Sequence, residues 1–350
     1  MVADQRAIKS GWSYARVLVH WWAILTAVLT FVLLCSGGLV TSHGVGMAVP
    51  DWPNTFGYNM FLFPVSRWVG GIFYEHTHRL IASGIGLMTV LLSVGLFVVE
   101  SRRWVKIFGV MAVGGVCLQG LLGGLRVVLI KDQIGIFHGM LAQSFFVAIT
   151  LLAIVTSRAF VEKRWADYEP NPHLRFWALG ATALIFIQLG LGATMRHEHI
   201  GLAIQDFPLA YGKLLPETGG EAEARINAMR IADDQMPTTA VQIWIQMAHR
   251  LVAVLIFAAV MAFFFKAKRS TRAIRFWSAS WVLMIFAQIA LGAWTIWSNK
   301  AADVATAHMA LGALSLVLGG VTTFRLFCGA RTRDFALPDM PNSRLMQHVA

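Results

Sequence analysis

Long apolar runs alternate with short polar segments along the whole chain. Stretches without Asp, Glu, Lys or Arg fall at 17–50, 80–99, 107–125, 133–157, 176–195, 276–299 and 304–324. Each is about as long as the roughly 20 residues that a membrane-spanning helix needs. An eighth apolar run, about 241–265, is interrupted only by Arg250. The pattern predicts an all-α polytopic membrane protein with eight transmembrane helices. Two connections, 41–72 and 197–240, are long and expected to be irregular, whereas 127–134 and 298–303 are short. Each long connection carries an apolar-aromatic stretch, MAVPDWP at 47–53 and LAIQDFP at 202–208, suited to lie in the membrane interface over its bundle.

Composition agrees. The 350 residues are 57% hydrophobic and only 13% charged, about half the charge of a soluble domain. A formal net charge of +11 would suit nucleic acid, but its distribution is topological. With the N-terminus placed in the cytoplasm, nineteen Lys and Arg fall in inner segments and eight in outer ones. That is the positive-inside pattern with both termini cytoplasmic, and it names no ligand. Residues 1–16 are polar and show no small-residue cleavage site after a short apolar core, so the first span is expected to be retained. Cys35, Cys117 and Cys328 lie in or beside different spans and imply neither a disulfide nor a metal cluster.

The chain also repeats itself. HisArgLeu at 78–80 returns at 249–251, LQGLLGG (118–124) as AQIALGA (287–293), and FHGMLAQS (137–144) as AHMALGAL (307–314), at offsets of 171, 169 and 170 residues. GMAVPDWP (46–53) matches GLAIQDFP (201–208) at an offset of 155, so about 16 extra residues sit in the outer loop between 206 and 249. Four helices per repeat is an even number, so the halves share orientation. Two four-helix bundles related by a pseudo-two-fold axis along the membrane normal are expected, divided as 1–165 and 166–350.

His78, His138, His249 and His308 each stand near the outer end of an even-numbered span. A lone membrane histidine usually hydrogen-bonds a neighbouring helix, but four at one depth, duplicated with the repeat, point to ligation. Neutral imidazole is a good ligand for iron, and two histidines on facing helices of a bundle can clamp a haem from both sides. Zinc or copper would recruit further His, Cys or carboxylate. Gly37, Gly38, Gly123, Gly124, Gly190, Gly192 and Gly292 on the odd-numbered spans would open room for a flat macrocycle, and glycine is equally at home in plain helix contacts. One haem-type site per half follows.

The two halves differ at one position. In FYEHTHRL (73–80), Glu75 and His78 are three residues apart and share a helix face. His76 lies about 160° round the helix and is expected to stand aside. Arg79 can pair with Glu75 or reach a haem propionate. In the second half Arg250 is kept, but Gln246 stands where Glu75 would. A carboxylate needed only to balance an arginine would be needed in both halves. The first half is therefore the candidate reactive site, with Glu75 as proton acceptor or electrostatic stabiliser, and the second is an electron-transfer site.

The E-x-x-H-R pattern at Glu75, His78 and Arg79, the four-plus-four repeat and the paired histidines resemble the haem A synthase family over essentially the whole chain. That resemblance implies oxidation of the C8 methyl group of haem O to a formyl group, giving haem A for terminal oxidases. It places substrate haem on His78 and His138, catalysis on Glu75, and a haem b cofactor on His249 and His308. Arg79 and Arg250 are candidate propionate contacts. Haem O synthase as delivery partner, a homo-oligomer and the bacterial cytoplasmic membrane fit the same picture, with the haem sites near the outer face. Some family members carry a cysteine pair in the first outer loop, and 41–72 has none, which puts a thiol step there in doubt. His197 and His199 are expected to be solvated, with a role in haem access as the alternative. Two other functions are compatible with parts of the pattern: a di-haem b-type quinol-linked electron carrier, and a parallel-repeat transporter without haem.

Overall fold

The computed structural model describes residues 13–162, 165, 171 and 173–334, with side chains to residue 329. Both chain termini, with Arg6, Lys9 and Arg344, lie outside the described residues, as do Lys163 and Arg164. Helices account for most of the chain: α1 (Tyr14–Ser42), α2 (Gly70–Val99), α3 (Arg103–Val128), α4 (Ile134–Val155), α5 (Arg158–Val161), α6 (Leu174–His197), α7 (Gly220–Ala232), α8 (Ala240–Ala267), α9 (Arg272–Trp297) and α10 (Ala302–Asp334). Eight of them are long and apolar enough to cross a membrane. In lipid a helix satisfies its own backbone polar groups, so runs of this composition have few other options.

Local chemistry sets several boundaries. Ser13 caps α1 by accepting from the Arg16 amide, Thr271 does the same for α9, and Thr239 with Gln242 forms a capping box at the start of α8. The first charge-free run extends to residue 50, but α1 ends at Ser42, where His43 and Gly44 (φ 69°) turn the chain into the loop. The second long loop is not wholly irregular, because its extra residues fold into α7. Glu221 and Glu223 in the first turn suit the positive end of the helix dipole. Ala222, Ile226 and Arg230, four residues apart, turn one face inward, and Ile226 packs with Ile204, Ala210, Ile243 and Met247.

Within each half the long helices close a ring. α1 packs on α2 and α4, α2 on α3, and α3 on α4; α6 packs on α8 and α10, α8 on α9, and α9 on α10. The rings meet where α1 and α4 pack on α10 and α4 packs on α6. α10 and α4 are accordingly the most buried spans, at 50% and 39% of their windows. Ile85, Leu92, Leu96, Ile149 and Leu152 fill the first ring. Leu174, Phe263, Ile274 and Trp281 fill the second, where the buried Trp281 indole donates to Ser315 Oγ at 3.0 Å. Cys35, Cys117 and Cys328 form no disulfide among the described residues.

Candidate haem-binding site

Each of the four histidines lies edge-on to a glycine of the neighbouring helix. The pairs are His78 with Gly37, His138 with Gly123, His249 with Gly192, and His308 with Gly292. A Cβ built on those glycines would stand 3.0, 3.3, 3.4 and 3.1 Å from the respective Cε1 atoms. The glycines therefore make room for the imidazoles. Gly38 and Gly124 do other work, facing Thr306 and Met309 of α10 and the Trp52 indole.

The Nδ1 atoms of all four histidines are buried without a hydrogen-bond partner. Orphaned ring nitrogens in two pairs are costly unless something is coordinated there. The His249 and His308 ring centres are 6.4 Å apart. A metal held between two imidazole nitrogens at about 2 Å each needs ring centres about 6 Å apart, so the spacing fits axial ligation from both sides. Among the described residues no three His, Cys, Asp or Glu side chains converge as a bare metal site requires. The donor set suits haem iron better than a structural zinc.

Three helices add a further contact. Gln119 Nε2 donates to the His138 carbonyl at 3.1 Å, Gln188 to that of His249 at 2.9 Å, and Gln288 to that of His308 at 2.8 Å. Each glutamine precedes its glycine by four residues, so one helix face both grips the backbone of the histidine and flanks its ring. The recurring Gln-x-x-x-Gly spacing was visible in the sequence, but its purpose was not.

The long loops cover the histidine ends of the rings by one matched scheme. Asp51 accepts from the Phe56 and Gly57 amides, and Asp206 from those of Tyr211 and Gly212. Arg79 donates to the carbonyls of Val49, Asp51 and Asn54, and Arg250 to those of Asp206 and Leu209. Glu75 is 4% exposed; its Oε2 accepts the Val49 amide at 2.9 Å and its Oε1 pairs with Arg79 at 2.6 Å. Gln246 accepts the Ile204 amide at 2.7 Å and returns its own amide to the Ile204 carbonyl at 3.0 Å. A glutamine can donate as well as accept, whereas a carboxylate only accepts. In the first half Arg79 therefore supplies the missing donor to Val49.

The remaining histidines separate. His76 is fully buried on the far side of α2, with Nδ1 3.2 Å from Thr55 Oγ1 and its ring against Phe63 and Trp68. It faces away from His78 as expected, but it anchors the first loop rather than standing idle. His197 is buried against Gly135 of α4, contrary to the expectation that it is solvated, whereas His199 is exposed and lies 3.3 Å from Asp132 Oδ2. Asp132, in the α3–α4 turn, also binds Arg126 of its own half at 2.6 Å, so its contact with His199 ties the halves together. Burial pushes its carboxyl up, but the Arg126 hydrogen bond and charge, with His199 and His197, outweigh this and hold it below the usual range. Arg126 pairs with Asp132, and Arg196 donates to the Gly38 carbonyl and Ser42 Oγ at 2.7 Å each, across the two halves. Neither arginine belongs to the repeated motif, so the sequence alone did not single them out.

Residues 20–319 match the family model COX15-CtaA, described as cytochrome oxidase assembly protein. A "Heme A synthase" of Geobacillus kaustophilus is 26% identical over 327 residues, covering 90% of this chain and 92% of that protein. Another, from Bacillus licheniformis, is 26% identical over 292 residues, covering 81% and 88%. A third, from Shouchella clausii, is 24% identical over 272 residues, covering 77% and 80%. A match that begins in α1, ends in α10 and takes in all four Gly–His pairs places this chain in the COX15-CtaA family of cytochrome oxidase assembly proteins.

Proposed function

We propose that this protein is a membrane oxidoreductase that converts haem O to haem A by oxidising the C8 methyl group to a formyl group. The observation that carries the proposal is a pair of like-built bis-histidine sites of which only one has a carboxylate, Glu75, on the ligand's helix face. The named relatives and the matched family support the reading, and they lend none to the di-haem electron carrier.

In this reading His78 and His138 hold the substrate haem, and His249 and His308 hold a haem b cofactor. Bound haem supplies the redox-active iron, and the protein supplies the rest. The glycines and glutamines orient the imidazoles. The two loops cap the histidine ends and exclude water from them. Glu75 uses two of its roughly four lone-pair positions on Val49 and Arg79, which leaves it free to take a proton from the reacting substrate. Arg79 and Arg250 contact propionates only through N–H groups that the loop carbonyls leave over, among them the unpartnered Nε–H of Arg250.

The reading divides the chain at 165/166 into a substrate half and a cofactor half related by a pseudo-two-fold axis. It sets the protein in a bacterial cytoplasmic membrane with both termini inside and the haem sites near the outer face. Haem O synthase as donor and a homo-oligomer belong to the same proposal. The test is expression with a haem O supply, followed by haem extraction and chromatography. A formyl-bearing haem is expected; recovery of haem O and haem b alone would sink the assignment.

A further inference from the structure

The two sites are built alike except in one tie. His138, His249 and His308 each have their backbone carbonyl held by a glutamine of the adjacent helix, at 3.1, 2.9 and 2.8 Å. For His78 the adjacent helix is α1, and the residue four before Gly37 is Leu33, which has no group to donate. The repeat makes the comparison strict, since the offset of 155 that relates Gly37 to Gly192 also relates Leu33 to Gln188. The second site thus has both ligand backbones tied to a neighbouring helix, and the first has only that of His138.

The loops do not account for this difference. α2 is fastened to its loop through Glu75 on the Val49 amide and Arg79 on the Asp51 and Asn54 carbonyls, and α8 through Gln246 and Arg250 on the equivalent atoms of Ile204, Asp206 and Leu209. Gly37 crowds the His78 ring no less than the other glycines crowd theirs. What differs is the restraint between helices on the ligand's own backbone.

We infer that Leu33 makes His78 the releasing ligand, so that the first site exchanges its haem while the doubly tied second site retains its own. The inference rests on the haem assignment proposed above and adds to it a direction of exchange and the positioning residues that set it. An enzyme whose substrate and cofactor are both haems needs two bis-histidine sites that differ in residence time, and one missing hydrogen bond supplies the difference without changing any ligand.

The test uses the full-length protein in lipid nanodiscs, loaded with haem b and haem O. Excess apomyoglobin serves as scavenger, and transferred haem is identified by chromatography. In the wild type haem O is expected to leave faster than haem b. One hydrogen bond of this kind corresponds to about two- to tenfold in rate. Gln188→Leu should speed haem b loss by that factor, with the low-spin spectrum and thermal stability retained, and Leu33→Gln should slow haem O loss by a similar factor. Unchanged haem b loss in Gln188→Leu, or equal loss of both haems from the wild type, would overturn the inference while leaving the haem assignment standing. A wild type that takes up no haem would overturn both. Gln188→Leu decides alone if Leu33→Gln does not accumulate in the membrane.

Discussion

Glu75 accepts the backbone amide of Val49 at 2.9 Å, so the residue proposed for chemistry is also a fastening of the loop above it. Its counterpart Gln246 fastens Ile204 with the same polarity and adds a donor of its own. The two duties of Glu75 can therefore be separated by choice of substitution.

Glu75→Gln keeps an acceptor for Val49 and, like Gln246, brings a donor, so the loop and haem b binding should survive. Formation of haem A from haem O should fall to background, read by chromatography of extracted haem. Normal haem A production would remove Glu75 from the chemistry. Glu75→Ala should in addition destabilise the protein by about 1–3 kcal/mol, because a buried amide loses its acceptor. Faster proteolysis within 43–69 should accompany that loss.

The four Gly–His contacts are graded, and alanine scanning should follow the grading. Gly37→Ala places a Cβ 3.0 Å from the His78 ring and should displace it, whereas Gly192→Ala, at 3.4 Å from His249, is ordinary contact and should be tolerated. Alanine in a helix is favoured over glycine by about 1 kcal/mol, so global stability should not fall in either variant. The readout is the haem absorption spectrum: a changed spectrum at the first site for Gly37→Ala and a wild-type one for Gly192→Ala. Equal effects would show that the rings are free to shift.

His249→Ala or His308→Ala should abolish the six-coordinate haem b spectrum while the protein still accumulates in the membrane. Persistence of that spectrum in both variants would refute the assignment of the second pair.

Asp132 pairs with Arg126 in its own half, reaches His199 of the other, and is held below the usual carboxylate range in the folded protein. A carboxylate whose folded value is depressed contributes stability above its unfolded value, about 3.9, and loses it as pH falls through the folded value. Thermal stability of the wild type should thus drop more steeply below about pH 4 than that of Asp132→Asn. Parallel curves would mean that the carboxylate contributes nothing to joining the halves.

The eight spans and the repeated histidines were legible in the sequence because both are local or periodic. An apolar run long enough to cross a bilayer has to form a helix there, and equal spacing of HisArgLeu in two halves needs no structure to be seen. Glu75 stood out for the same reason, since its counterpart is Gln246. Only the tertiary structure decided what surrounds these residues. The glycines touch imidazoles, His76 holds a loop, His197 is buried, the glutamines hold histidine carbonyls, and part of the second loop is helical. Each of those facts depends on which helices lie side by side and at what height. That is set by packing between residues distant in the chain, as Gly135 and His197 are, and no local pattern records it.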